Sequence, residues 1–343
     1  MLKWNKVGAV LTAIGIAVGV WSSVAIAPAF AIGLPSPGQM GLSEPATEVM
    51  SRIGSFYDLV NILIIAIAVF VLVLMIYVVL RFNERANPIP SKTTHNVALE
   101  VAWTVIPIAI LVMIAIPSFK LLNLQYNYPK PDLTIKATGN AWFWEHEYLD
   151  QKGISITTNM VSDEDVVKAE IGDKEFNARF GKLEDGSIAK VKAVYEAAAP
   201  IWAKRSATGQ EARQLAVDNE IAVPVGKVVH LLVTSNDVIH SWTIPAFGAK
   251  MQAVPGRIHA TWFQPTKVGM YYGQCSVLCG KNHSGMPIAV RVVSEQAFND
   301  WMAALKAKDP KKAKSILRAC SLTTRTAIGI PEWFLPHSTE HWP

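Results

Sequence analysis

The residues best equipped for chemistry lie in Tyr271–Met286, YYGQCSVLCGKNHSGM, which puts Cys275, Cys279, His283 and Met286 within twelve positions. Two of the chain's three cysteines are here. Thiolate, imidazole and thioether are soft or borderline donors that suit copper. A second imidazole, His240 in VIHSW, ends an alternating apolar run and completes the pattern H-x34-C-x3-C-x3-H-x2-M.

Four arrangements compete for these side chains. A cysteine pair in an exported protein is usually a disulfide, which leaves both histidines and Met286 idle. Structural zinc takes two Cys and two His and gives the thioether nothing to do. A mononuclear blue-copper site wants two His, one Cys and a weak Met, so one thiol is left over. A dinuclear copper site uses all five, with both thiolates bridging the metals and one imidazole on each. Charge shared over two metals changes geometry little when an electron arrives, so such a site suits electron relay rather than bond making. His95, His146, His230 and His259 have no comparable company and read as ordinary strand, loop or interface histidines.

The rest of the chain must position that cluster. Its 343 residues allow one or two domains. A hydrophobic share of 51% points to membrane segments. The formal charge of +5 comes without a basic, aromatic-interleaved patch, which speaks against nucleic acid as a partner. Residues 1–31 have a basic start (Lys3, Lys6), an apolar run and a small-residue end, Ala29-Phe30-Ala31. This is the layout of a signal peptide cleaved after Ala31, so the chain is exported. Residues 32–55 read as a linker. Leu59–Leu80 would span roughly 33 Å at about 1.5 Å per residue, enough for a hydrocarbon core of about 30 Å. Val101–Leu122 is a second apolar run, and membrane helices tolerate its Pro107 and Pro117. Together they predict a transmembrane hairpin over 56–122. Arg81, Arg85 and Lys92 in the loop between them belong on the cytoplasmic side. Everything after Leu122 then lies outside, as the signal peptide also requires. Glu100, at the cytoplasmic edge of the second helix, is either a wet interfacial carboxylate or a point of proton uptake.

Residues 123–308 form the outer domain. Short alternating runs separated by Gly and Pro predict an antiparallel sandwich or barrel. The aromatics Trp142, Phe143, Trp144 and Tyr148 are expected to pack within it. An insert at about 160–217 is rich in Lys, Glu, Asp and Ala and reads as helical and without chemistry. Gln296–Lys308 is a short amphipathic helix. Residues 309–343 show no periodicity and are expected to be a disordered tail.

With these residues in place, the chain resembles subunit II of the haem–copper cytochrome c oxidases over roughly Leu59–Val293. The blocks NDVIHSWTIPAFG, AVPGR and YYGQCSVLCGKNHSGMPI carry the resemblance. It implies an N-terminal two-helix transmembrane hairpin and, outside the membrane, an all-β cupredoxin-like Greek-key sandwich with the helical insert. It implies a binuclear CuA centre of two copper ions on His240, Cys275, Cys279, His283 and Met286, with the Val277 carbonyl as a further ligand. Trp142 matches the tryptophan where electrons arrive from cytochrome c. Glu147, Asp218 and Asp237 match acids of the docking face, and Glu100 matches the mouth of a proton pathway. The implied role is the electron-receiving subunit of a proton-translocating respiratory oxidase in a bacterial inner membrane. It would be multi-pass, with the CuA domain periplasmic and membrane lipid around the helices. Its partners would be subunit I with haem and CuB, subunit III and a c-type cytochrome. This chain has no C-x-x-C-H, so oxygen chemistry falls to the partner. Three positions depart from the family: Val277 for Glu, Gln252 for Asp and Phe143 for Tyr. Val277 keeps the carbonyl but drops the carboxylate through which the family reaches a magnesium ion shared with subunit I. A divergent or non-redox scaffold subunit of a related oxidase is the alternative, against which both cysteines stand.

Overall fold

The computed structural model describes residues 33–34, 39–89, 91–207 and 211–327, with side chains as far as residue 320. The expected signal peptide, 1–31, and the last residues of the tail lie outside the described residues.

Two helices, α1 (Glu48–Arg81) and α2 (Val97–Tyr126), open the described chain. Helix α1 takes in Glu48–Ser55, which the sequence assigned to a linker. The reason is local: the Thr47 hydroxyl caps it by accepting the Met50 N–H at 3.0 Å, and Glu48 in the first turn suits the helix dipole. Asn96 caps α2 in the same way, accepting the Leu99 N–H at 3.1 Å. Along both helices large apolar side chains such as Ile62, Phe70, Leu111 and Phe119 stand exposed, as befits helices whose solvent is hydrocarbon.

Strands β1 (Leu133–Asn140), β2 (Phe143–Tyr148) and β3 (Ile154–Thr158) follow. Next comes the insert, α3 (Asp163–Ile171), α4 (Asp173–Phe180) and α5 (Ile188–Ala207). Then come β4 (Ile221–Pro224), β5 (Val229–Ser235), β6 (His240–Ile244), β7 (Ala249–Ala253), β8 (His259–Phe263), β9 (Gly269–Gln274) and β10 (Pro287–Val293). Five strands form one sheet in the order β3-β2-β1-β5-β8; β4-β10-β9 and β6-β7 face it. Alternation sets the faces: Val229, Leu231 and Val233 of β5 point inward, with Trp144, His146 and Tyr148 of β2. Strand β10 is buried along its whole length. The core between the sheets holds Trp144, Trp242, Phe247, Phe263 and Tyr271. Two pairings are parallel, β1 with β5 and β10 with β4, so the sandwich is mixed rather than purely antiparallel. Parallel neighbours need a long crossover, and β2, β3, the insert and β4 supply the one between β1 and β5. The architecture is a cupredoxin-like sandwich carrying a helical insert.

The sandwich sits directly on the hairpin. Ala46 N–H donates to Ala246 O at 2.9 Å, and the Thr47 hydroxyl donates to Phe247 O at 2.8 Å. At the end of α2, Trp262 Nε1 donates to Gln125 O at 3.1 Å and the Tyr128 hydroxyl to Ala260 O at 2.9 Å.

After the sandwich come α6 (Glu295–Lys306) and α7 (Pro310–Ala327). The tail expected to be disordered from 309 is therefore helical to Ala327. Asp309 caps α7 by accepting the Lys312 N–H at 3.0 Å, and Pro310 stands at its first position, where a missing N–H costs nothing. Ala313 and Leu317 are buried, with Ile316 and Cys320 partly so, an apolar stripe at helical spacing.

Candidate metal centre

Two segments build the site. His240 begins β6, and the other donors lie in the loop from Cys275 to Met286 that joins β9 to β10. The loop is closed at its base by Cys275 N–H donating to Met286 O at 3.1 Å and tied sideways by Ser276 N–H to Ser241 O at 3.2 Å. Its irregular backbone is thus pinned by the strands on either side of it.

The donors converge. Cys275 Sγ and Cys279 Sγ are 3.8 Å apart, well beyond the roughly 2.05 Å of a disulfide. His240 Nδ1 lies 4.0 Å from Cys275 Sγ, and His283 Nδ1 lies 3.4 Å from Cys279 Sγ. Met286 Sδ is 3.6 Å from Cys279 Sγ, and the Val277 carbonyl is 3.3 Å from Cys275 Sγ. Each imidazole therefore turns Nδ1 toward a different thiol of a central pair. His240, Cys275, Cys279 and Met286 are buried, and His283 is half-buried. The donor set fits copper. Without a cation the pair is unfavourable as thiolates: burial, then the adjacent Cys275, pushes the Cys279 thiol up to about 12. A bound cation reverses that preference, so loading the site releases protons.

The surroundings orient the donors. Asp237 Oδ1 sits 2.8 Å from His240 Nε2, the arrangement in which a carboxylate fixes the tautomer of a metal-binding histidine. Burial pushes the Asp237 carboxyl up, but hydrogen bonds from His240 and the N–H groups of Val238 and Ala141 outweigh it, and the net shift is downward. The Trp144 ring meets His240 edge-on, with centroids 5.9 Å apart, and its Nε1 donates to Met286 O at 3.4 Å. Gly139 is needed beside them, because a Cβ there would stand 2.8 Å from His240 Cδ2.

Trp142 adjoins the centre: its Nε1 donates to Cys279 O at 3.1 Å, and Lys281 Nζ lies 5.5 Å above its ring. Val238 and Ile239, just before His240, and Leu278, just before Cys279, are exposed apolar residues beside ligands in the chain. The three acids divide. Asp237 is part of the site itself. Asp218 accepts Asn159 N–H at 2.8 Å, beside Thr158, which pairs with Trp144. Glu147 lies 3.7 Å from Lys136 Nζ and pairs with Ser155, about 10 Å further along the sheet toward the hairpin. Glu100 is remote, in the first turn of α2, where it accepts Asn96 N–H at 3.3 Å and lies 3.7 Å from His95 Nδ1.

Trp144 and Gly139 as supports, and the contact of Asp237 with His240, were not read from the sequence, where Asp237 matched only a docking acid. The spacing D-x2-H was the available signal for Asp237. His146, read from the sequence as an ordinary histidine, is a fully buried strand residue: Trp242 Nε1 donates to its Nε2 at 3.1 Å and Thr158 Oγ1 is 3.4 Å from its Nδ1. Burial holds its pKa down at about 3.

The chain matches "Cytochrome C oxidase subunit II, transmembrane domain" over residues 35–121. It matches the periplasmic domain of the same subunit over 133–181 and 195–293. It is 39% identical to the probable cytochrome c oxidase subunit 2 of Rickettsia bellii (strain RML369-C), over 79% of this chain and 85% of that protein. Identity to the cytochrome c oxidase subunit 2 of Cereibacter sphaeroides is also 39%, over 79% and 82%. The periplasmic domain of subunit II of cytochrome oxidase from Bradyrhizobium japonicum is 38% identical with a TM-score of 0.38, covering 52% of this chain and 97% of that one.

Proposed function

The chain belongs to the cytochrome c oxidase subunit II family, a membrane protein with an extramembrane sandwich, and on that premise we propose that it receives electrons from a c-type cytochrome for the haem of subunit I. The observation that carries this reading is the convergence of two thiols, two imidazoles and a thioether on a Cys275–Cys279 pair 3.8 Å apart. His240, Cys275, Cys279, His283 and Met286, with the Val277 carbonyl, would hold two copper ions as a CuA centre. Bound there, copper supplies one-electron redox chemistry. The protein's own part is to hold the donors still in a buried site, so that little rearranges when charge changes.

Trp142 is the proposed point of arrival, since its indole N–H is bonded to the backbone of a ligand. The donor cytochrome would dock over Trp142 and the exposed apolar residues Val238, Ile239 and Leu278. Asp218, Asp237 and, more distantly, Glu147 would steer a basic partner, because a hydrogen-bonded carboxylate still contributes its charge to the long-range field. In this reading the sandwich is periplasmic and the hairpin spans a bacterial inner membrane twice beside subunits I and III. Glu100 then faces the cytoplasm as the mouth of a proton pathway. Val277 offers no carboxylate for a magnesium ion at the subunit I boundary, and none is proposed.

Metal analysis of the purified full chain tests the core of the proposal. Two coppers per chain with thiolate-to-copper absorption are expected, and reduction by cytochrome c should slow as ionic strength rises. One zinc per chain, or a metal-free Cys275–Cys279 disulfide, overturns it.

A further inference from the structure

A cleft of about 520 Å³ opens between α1 and α2 where they leave the sandwich, and none of the sulfur or imidazole donors lines it. Its walls are of two kinds. Arg52, Lys120 and Glu48 supply its charged lining, with Ser55, Asn123 and Asn127 as polar neighbours. Phe56 and Leu59 of α1 and Pro117 of α2 line it further from the sandwich, and Leu121 adds an apolar side chain next to Lys120. On α1 the spacing Arg52, Phe56, Leu59 puts cation and apolar groups on one face, the cation a turn nearer the sandwich. Arg52 lies about 10 Å from Leu59 along the axis, at about 1.5 Å per residue. A headgroup layer adds roughly 5–8 Å on each side of a hydrocarbon core, so Arg52 reaches through it when Leu59 marks the edge of the core.

The charges do not cancel. Arg52 pairs with Glu48 at 3.3 Å, both side chains being 66% exposed. Lys120 is exposed and has no ion pair among the described residues. One net positive charge is left at the mouth of a cleft whose floor is apolar.

We propose that this cleft is a binding site for one anionic phospholipid. Its phosphodiester sits between Arg52 and Lys120, and an acyl chain lies along Phe56, Leu59, Pro117 and Leu121. A zwitterionic lipid brings the same phosphodiester with a cationic group beside it, which the unpaired Lys120 disfavours. The site is independent of copper and of the direction in which the hairpin crosses the membrane.

Native mass spectrometry of the full chain, with phosphatidylglycerol or phosphatidylcholine of the same acyl composition, tests it. The wild type should retain one phosphatidylglycerol in preference to phosphatidylcholine. At about one basic residue's worth of membrane attraction each, Arg52→Gln with Lys120→Gln should weaken phosphatidylglycerol about 10–30-fold and leave phosphatidylcholine unchanged. Lys120→Arg should retain the lipid, and Lys152→Gln, an exposed lysine outside the cleft, should change nothing. Unaltered copper loading in the double variant would establish that it folds. Equal retention of the two lipids, or equal loss in the double variant and in Lys152→Gln, overturns the proposal. So does a photo-crosslinker at position 124 that captures a partner subunit of the assembled oxidase and no lipid.

Discussion

The ligand loop and the helical insert are built in opposite ways. The insert is regular: α3 starts with a capping box between Ser162 and Asp165, and the three helices close over Val166, Val167, Phe176, Phe180, Val194, Ala198 and Trp202. Asp163 ties it to the following chain, accepting from Trp202 Nε1 at 2.8 Å and from Arg213. The loop from Cys275 to Met286 is irregular and has only a three-residue 3₁₀ turn, His283–Gly285. Its order is borrowed from β6, β9, β10 and Trp144. A regular element satisfies its own backbone and leaves its side chains free to make a core. An irregular loop spends its backbone on its neighbours, and its side chains can then aim at a single point. Chemistry sits in the second kind of region and stability in the first.

The largest break in that contrast comes from the loop. Cys279→Ser removes the thiol that touches Cys275, His283 and Met286 alike, and copper-dependent absorption should vanish while the far-ultraviolet circular dichroism stays. A variant that kept the wild-type spectrum would remove Cys279 from the ligand set. In the insert, Trp202→Ala takes away a large buried ring together with its bond to Asp163. A cost of about 3–5 kcal/mol is expected, confined to the insert. Hydrogen exchange should rise in α3–α5 and copper stoichiometry should stay the same. Copper loss in Trp202→Ala would show the two regions to be one cooperative unit.

How much of this the sequence disclosed follows the same division. Four donors and the two membrane helices were legible because each is a matter of residue type and spacing along one stretch, and His240 joined the donors through its place at the end of an alternating run. The insert's helices showed through a composition rich in Lys, Glu, Asp and Ala, although Pro200, which reads as a helix stop, lies inside α5. What stayed hidden depends on contacts across the chain. Trp144 supports His240 only because β2 and β6 face each other. Asp237 reads as a surface acid until the His240 ring is seen turned onto it. The parallel pairing of β1 with β5 joins strands nearly a hundred residues apart, and no local pattern encodes it. Helix α7 is different. Its Asp309 cap, Pro310 and the stripe Ala313, Ile316, Leu317, Cys320 were present in the sequence, and the odd composition beyond them obscured the signal.

His146 sharpens the contrast from the scaffold's side. Its Nε2 accepts from Trp242, so the neutral ring carries its proton on Nδ1, facing the Thr158 hydroxyl, which in turn donates to Asn219 O at 3.1 Å. Protonating Nε2 would break that chain inside a sealed core. The folded pKa, about 3, lies below the ordinary 6.5, so between those values the unfolded chain binds the proton and the folded one does not. Stability is full above about pH 6.5 and is lost as pH falls toward 3, by about 1.4 kcal/mol per pH unit. Denaturant titrations of the wild type at pH 7 and 5.5 should show that loss. His146→Gln should flatten it, at some cost in stability at pH 7. An unchanged slope in the variant would assign the acid sensitivity to other groups.

The smallest effect belongs to Asp237, where the two readings of one residue separate. As the partner of His240 Nε2 it orients a ligand, and removing its charge should weaken copper about tenfold, at the low end for such partners. Asn can still accept the bond, so Asp237→Asn should keep two coppers with a shifted absorption, whereas Asp237→Ala should lose more affinity. As a docking acid it acts only through charge on the encounter with cytochrome c, and both variants should then slow association equally and reduce its salt dependence. Copper competition against a chelator reads the first role, and stopped-flow reduction at two ionic strengths reads the second. If Asn and Ala proved equal in copper affinity and differed from the wild type only in salt dependence, the hydrogen bond to His240 would be incidental. The loop would then hold its histidine by packing against Trp144 alone.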